Sequence, residues 1–187
     1  MDEKGPEDFD LLAEFNAGSE EAFTRIVQKH SGRLINFLFR YTHDQGASED
    51  IAQEAFLRLY KAAPGLKPGA KLSTILYRIA YNLAVDQARK NSSRSARTPV
   101  QSLEVSEGEA LSDGADTTPD AVLEKAGRDA EIAASLAELP ASQQLVLILK
   151  AYEGRSYAEI SEITGLSLSA VDSLVFRARQ TLSKKLK

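Results

Sequence analysis

The sequence predicts an all-α protein of two small helical domains joined by a flexible linker. Three observations carry this. Apolar residues recur at spacings of three and four along most of the chain, and no strand-like pair breaks the pattern. The stretch from Asn91 to Thr118 is polar, dominated by Ser, Thr, Gly, Asp and Glu, and has no sustained period. The C-terminal segment carries two short helical patterns around a glycine. The expected divisions are residues 1–91, an acidic linker over 92–118, and residues 119–187.

In the first domain, which becomes periodic at about Phe9, Ser19 is placed to cap a helix from Glu20, with Phe23, Ile26 and Val27 inward. Leu34, Ile35, Leu38 and Phe39 continue that helix or mark a second one. The stretch HDQGAS reads as a break, with Ser48 as the next cap and a helix from Glu49 to about Ala63, ended by Pro64. Two prolines and two glycines in PGLKPGAK predict a loop, followed by a helix from near Ser73 to about Lys90. After the linker, Thr118-Pro119-Asp120 resembles a cap with proline at the first helical position. A helix to about Glu138, stopped by Pro140, and another from Ser142 to Tyr152 follow.

The last element pair is the most specific. Ser156 with Glu159 fits a capping box, Ile160 and Ile163 give an apolar side, and Gly165 supplies a left-handed turn. Ser169 with Asp172 is a second expected cap, ahead of a buried stripe of Val171, Val175, Ala178 and Leu182. Two short helices so joined either present the second to a DNA major groove or form an ordinary helical hairpin packed into a core.

Charge divides in the same way. The chain of 187 residues carries a net charge of -4, but its segments differ: -5 over 1–63, +6 over 64–100, -8 over 101–140 and +3 over 141–187. Local field, more than total charge, attracts phosphate. No apolar run approaches the roughly 20 residues that span a bilayer, so membrane insertion is not expected. The acidic start, MDEKGPEDFD, lacks the order of a secretory signal, which predicts a cytoplasmic protein. Without cysteine, disulfides and thiolate metal sites are excluded. His30 and His43 are the only histidines, and both read as surface residues away from any acid–base or metal cluster. No enzyme activity, cofactor or metal is predicted.

Two helices carry surface chemistry. On Glu49–Ala63, the residues Ala52, Ala55, Phe56, Leu59 and Ala63 share the inward side. Asp50, Gln53, Glu54, Leu57 and Lys61 share the opposite side, where Leu57 is an apolar anchor in a polar rim, as in helix-mediated interfaces. On the helix from Ser73, Leu76, Ile79, Ala80 and Leu83 point inward, while Arg78, Tyr81, Asn82, Val85 and Arg89 point outward with Tyr77 at the edge. Arginine for phosphate, tyrosine for stacking and asparagine for a base edge suit unpaired strands; the alternative is that the tyrosines pack in the core with their hydroxyls at the surface. Lys67 and Lys71 add positive charge in the adjoining loop.

With these residues in view, the chain resembles a bacterial RNA polymerase sigma factor of the extracytoplasmic-function group of the sigma-70 family, which keeps only regions 2 and 4. SEDIAQEAFLRLYKA resembles the helix that docks on the polymerase clamp, and STILYRIAYNLAVDQAR the promoter-melting helix. LPASQQLVLILKAYEGRSYAEISEITGLSLSAVDSLVFRARQTL resembles the whole of region 4. The resemblance implies that Asp50, Gln53, Glu54 and Leu57 contact core RNA polymerase. It implies that Lys67, Lys71, Arg78, Tyr81, Asn82 and Arg89 serve the minus-ten element, with Asn82 helping to capture a flipped base beside the loop from Gly65 to Leu72. Ser169, Ser173, Phe176, Arg177 and Arg179 would face the minus-thirty-five element.

There are departures. Ile75 stands where the family often has tryptophan, and Leu72 where it has phenylalanine; the loop lacks an acidic residue beside its glycine. Asp172 and Leu174 replace two positive residues, which removes expected phosphate contacts. The implied function is a promoter-specificity subunit acting with core polymerase and promoter DNA, silenced by an anti-sigma protein. The alternative is a stand-alone helix-turn-helix regulator of duplex DNA.

Overall fold

The computed structural model describes residues 5–67, 71–95 and 134–185. Among them every regular element is helical: α1 (Gly5–Asn16), α2 (Glu20–Thr42), α3 (Gln45–Ala62), a 3-10 turn (Ala63–Gly65), α4 (Leu72–Ser95), α5 (Ala141–Ala151), α6 (Tyr157–Thr164) and α7 (Leu168–Lys185). A further helical turn covers residues 134–137. The expected cap at Thr118-Pro119-Asp120 and most of the linker lie outside the described residues.

The ends have identifiable causes. Ser19 caps α2, which runs unbroken through Leu34 and Phe39, and Glu20 and Glu21 complement the helix dipole in its first turn. His43, at φ 56°, turns left-handed and donates its amide to the Phe39 carbonyl, closing α2. The next helix starts earlier than expected: Asp44, not Ser48, is its cap, and accepts from the Ala47 amide at 2.9 Å. Ser48 is instead buried in the first turn, its hydroxyl donating to the Asp44 carbonyl and pairing with Thr42 Oγ1 at 2.8 Å. The helix α4 continues past Lys90 to Ser95, into the stretch read as linker.

Helices α1 to α4 form one bundle, α2 packing on α1, α3 and α4. Its core holds Ile26, Leu34, Phe37, Leu38, Ala55, Leu59, Leu72, Leu76 and Ala80, each almost fully buried. An aromatic trio fastens one end: Phe15, Phe23 and Tyr60 stack with centroids 4.7–5.1 Å apart. His30 corrects the surface expectation. It is buried, with Nε2 3.1 Å from Asp8 Oδ2, while Lys29 donates to Asp8 Oδ1 at 2.8 Å. Burial would raise the Asp8 carboxyl, but the His30 and Lys29 hydrogen bonds and charges outweigh it and hold it below its ordinary range.

The C-terminal helices pack α5 on α7 and α6 on α7, with Val171, Val175 and Ala178 buried as the stripe predicts. Apolar residues of both halves meet in one continuous core, because α6 lies on α4 and α5 on α2.

Candidate functional site

Three surfaces carry the sequence-predicted residues. On α3, Ile51, Ala52, Ala55, Phe56 and Leu59 are drawn into the bundle, which turns Asp50, Gln53 and Leu57 to solvent and leaves Glu54 half-exposed. Leu57 is 46% exposed, the bare apolar anchor that the spacing predicts. Glu54 Oε1 accepts from Arg58 Nε at 2.8 Å, one turn on. Between α3 and α4 runs a groove of about 370 Å³ lined by Asp50, Glu54, Arg58, Asp86, Gln87 and Lys90 among others. Asp86 and Gln87 were missed in the sequence. Their signal was there: Asp86 is one turn beyond Asn82 on the same helix.

On α4, Arg78, Asn82 and Arg89 are exposed and Tyr81 and Val85 half-buried, while Leu76, Ala80 and Ala84 are buried beneath them. The patch therefore faces outward, although it is not uniform. The ring of Tyr81 rests against the core, and burial raises its phenol above the ordinary value. Tyr77 is no edge residue. It is 1% exposed, tilted on Phe37 at 5.0 Å between centroids, and its hydroxyl donates to Glu153 Oε2 at 2.6 Å. Burial first, then the Glu153 charge and hydrogen bond, push its phenol far up.

The loop lysines part company. Lys67 is exposed. Lys71 is also at the surface but pairs with Glu159 Oε1 of α6 at 3.1 Å, an ion pair without a well-directed hydrogen bond. Residues 68–70 of the loop lie outside the described residues.

The third surface is α7. The capping box of Ser156 and Glu159 starts α6, and Gly165, at φ 74°, ends it in the left-handed conformation. The cap of α7 is Ser167, not Ser169: its hydroxyl accepts from the Ala170 amide at 3.3 Å. Ser169 thus falls inside the first turn. With the stripe buried against α5 and α6, Ser169, Ser173, Phe176, Arg177 and Arg179 face solvent, and Phe176 is 62% exposed. Asp172 is exposed and Leu174 half-buried. Among the described residues no group of three or more His, Asp or Glu side chains could hold a metal ion, and no helix is long and apolar enough to cross a membrane.

These surfaces coincide with the family likeness. Residues 26–94 match the family model of Sigma-70 region 2, and residues 129–182 that of Sigma-70, region 4. The ECF RNA polymerase sigma factor SigW of Bacillus subtilis is 31% identical over 186 residues, covering 94% of this chain and 95% of the relative. RNA polymerase sigma-H factor of Pseudomonas aeruginosa is 29% identical over 183 residues, with 96% and 94% covered. The ECF RNA polymerase sigma-E factor of Escherichia coli K12 is 26% identical over 178 residues, with 94% and 92% covered. In fold, the chain is similar to CnrH bound to the cytosolic domain of CnrY, with a TM-score of 0.69, 24% identity and 96% and 97% of the two chains covered. It is likewise similar to the sigma factor RpoE bound to the anti-sigma factor NepR from Bartonella quintana, at a TM-score of 0.70, 22% identity and 88% and 96% covered.

Proposed function

This chain belongs to the ECF group of the sigma-70 family of RNA polymerase sigma factors, and from that premise we propose how its residues divide the work. A promoter-specificity factor binds core RNA polymerase and directs initiation at a chosen set of promoters. Here residues 1–91 form the unit that docks and holds melted DNA, 92–118 the connector, and 119–187 the unit that reads the upstream duplex. Asp50, Gln53, Glu54 and Leu57 take core polymerase. Arg78, Tyr81, Asn82 and Arg89, with Lys67 and Lys71, hold the minus-ten strand. Ser169, Ser173, Phe176, Arg177 and Arg179 face the minus-thirty-five element. The factor works in the cytoplasm, with no catalytic step of its own, and an anti-sigma protein silences it. That last role is supported by the partner of the RpoE structure, described there as an anti-sigma factor.

The observation that carries this assignment is the pairing of two exposed surfaces on adjacent helices. An acidic ridge with a bare leucine lies on α3, and an arginine–asparagine face lies on α4, across a shared groove. The ridge complements a basic protein surface, and the face complements unpaired bases.

Reconstitution with core polymerase and a promoter library tests it. Selection of no promoter over core alone sinks the assignment. Asn82→Ala is expected to impair strand opening while leaving core binding intact. Charge reversal at Asp50 and Glu54 is expected to do the opposite, weakening the polymerase complex in a pull-down.

A further inference from the structure

We infer that α7 chooses its upstream element base by base through one row of three side chains: Asp172 selects a cytosine, and Leu168 and Phe176, one turn to either side, select thymines that flank it. The inference rests on the promoter-specificity reading above and adds which bases that surface takes.

Leu168, Asp172 and Phe176 follow one another at intervals of four residues on α7, so they stand in a single row. Leu168 is 56% exposed and Phe176 62%, with Asp172 exposed between them. The row cannot turn inward, because Val171, Val175 and Ala178 are the side of α7 that is buried. A single exposed leucine is ordinary. Here two large apolar groups bracket an acid, and they do so on the first half of the second helix of a helix-turn-helix. In such a motif it is the N-terminal residues of that helix that reach base edges.

Asp172 limits the choice of base. An ionised carboxylate accepts hydrogen bonds and donates none, and among the described residues no cation is paired with this one. The donors in a major groove are the N4 amino group of cytosine and the N6 amino group of adenine. The adenine amino group has an acceptor on each side, its own N7 and the O4 of the paired thymine. The cytosine amino group has an acceptor on one side, the O6 of the paired guanine. A carboxylate is therefore repelled less over cytosine. Guanine and thymine themselves offer it acceptors alone.

The apolar pair limits the neighbours. Thymine is the base that carries a methyl group in the major groove, and an exposed leucine or phenylalanine buries its own surface against that methyl. At about 1.5 Å per residue, Leu168 and Phe176 each lie about 6 Å along the axis from Asp172. That is about two base pairs at about 3.4 Å each. The element thus carries a cytosine with a thymine–adenine pair about two positions to either side. Ser169 and Ser173 flank the row. A hydroxyl both donates and accepts, so neither serine overrides the choice.

The test is selection from randomised promoters by the full chain assembled with core polymerase. The parent is expected to favour cytosine at one upstream position by about tenfold over each other base. Asp172→Asn keeps the shape and adds a donor; it should move that preference to adenine, which an amide meets through N6 and N7. Asp172→Ala should flatten that position to within about twofold and leave the others as they were. Replacing the flanking thymines by deoxyuridine removes their methyl groups without touching the protein. It should weaken initiation by the parent severalfold, and should have little effect on the double variant Leu168→Ala with Phe176→Ala. The same base preferences in the parent and both Asp172 variants would overturn the inference, and so would a parent indifferent to deoxyuridine. Selection of no element over core alone would sink the promoter reading, and this inference with it; an element without the cytosine sinks the inference alone.

Discussion

Glu159 shows how one residue serves two levels of structure. Its Oε2 accepts from the Ser156 amide at 2.9 Å to complete the capping box, while Oε1 faces Lys71. Burial would raise the carboxyl, but the Ser156 amide and hydroxyl and the Lys71 charge outweigh it and hold the pKa at about 2, below the ordinary 4.5. A depressed carboxylate contributes stability that is complete above 4.5 and is lost as pH falls through about 2. Glu159→Gln is expected to cost about 1–2 kcal/mol at pH 7, and the difference from the parent should close by about pH 2 in urea titrations. Gly165 makes a purely backbone prediction. A Cβ there meets nothing within 4 Å, yet φ is 74°. Gly165→Ala should therefore cost about 1 kcal/mol by urea titration, from strain alone. Both residues were legible in sequence, because caps and left-handed turns are local. Tyr77 and His30 were not. Tyr77 flanks its helix's apolar stripe and is sealed by Phe37 and by Arg155, from another domain. His30 is covered by Asp8 of α1.

At the level of elements, spacing selects most of the inward faces: the structure buries the α3 set, Leu76 and Ala80 of α4, and Val171, Val175 and Ala178 of α7, and leaves Ile79, Leu83 and Leu182 half-buried. Helix ends were harder. Near α3 and α7 two cap-forming residues stand within a few positions of each other, and sequence does not rank them. Gly46 made HDQGAS look like a break, yet the chain tolerates it inside the first turn of α3 once Asp44 holds the Ala47 amide. The corrected cap is testable. Ser167→Ala should cost about 1 kcal/mol, whereas Ser169→Ala, exposed within the first turn, should stay within about 0.5 kcal/mol; thermal melts of both decide. On α3, Leu57→Glu should leave the melt unchanged because the side chain is 46% exposed. The same variant should weaken capture by core polymerase at least tenfold, as losing a central apolar anchor does.

Across the whole molecule, the sequence announces two helical units but not that they touch. Periodicity reports which side of a helix is apolar; it is silent on which distant helix covers that side. Ile160 was legible as apolar-sided, and only the structure shows it sharing a core with α2 and α4, together with Leu145, Ile148 and Leu149. That shared core predicts cooperativity. Urea unfolding of the parent chain is expected to give one transition, coincident by circular dichroism and by tyrosine fluorescence. Glu153→Ala with Arg155→Ala removes the contacts to Tyr77 and Ser73 and should lower the midpoint of that single transition without splitting it.

The exposed side of α7 has one more consequence. With Asp172 outward and Leu174 half-buried, Arg177 and Arg179 are the cations among the residues assigned to the upstream element. Two neutralised phosphates displace few condensed counterions, giving a slope of about -2 in a plot of log affinity against log salt. Grip on that half of the promoter should thus fade only gently as ionic strength rises, with Phe176 and the serines supplying contact that salt does not screen.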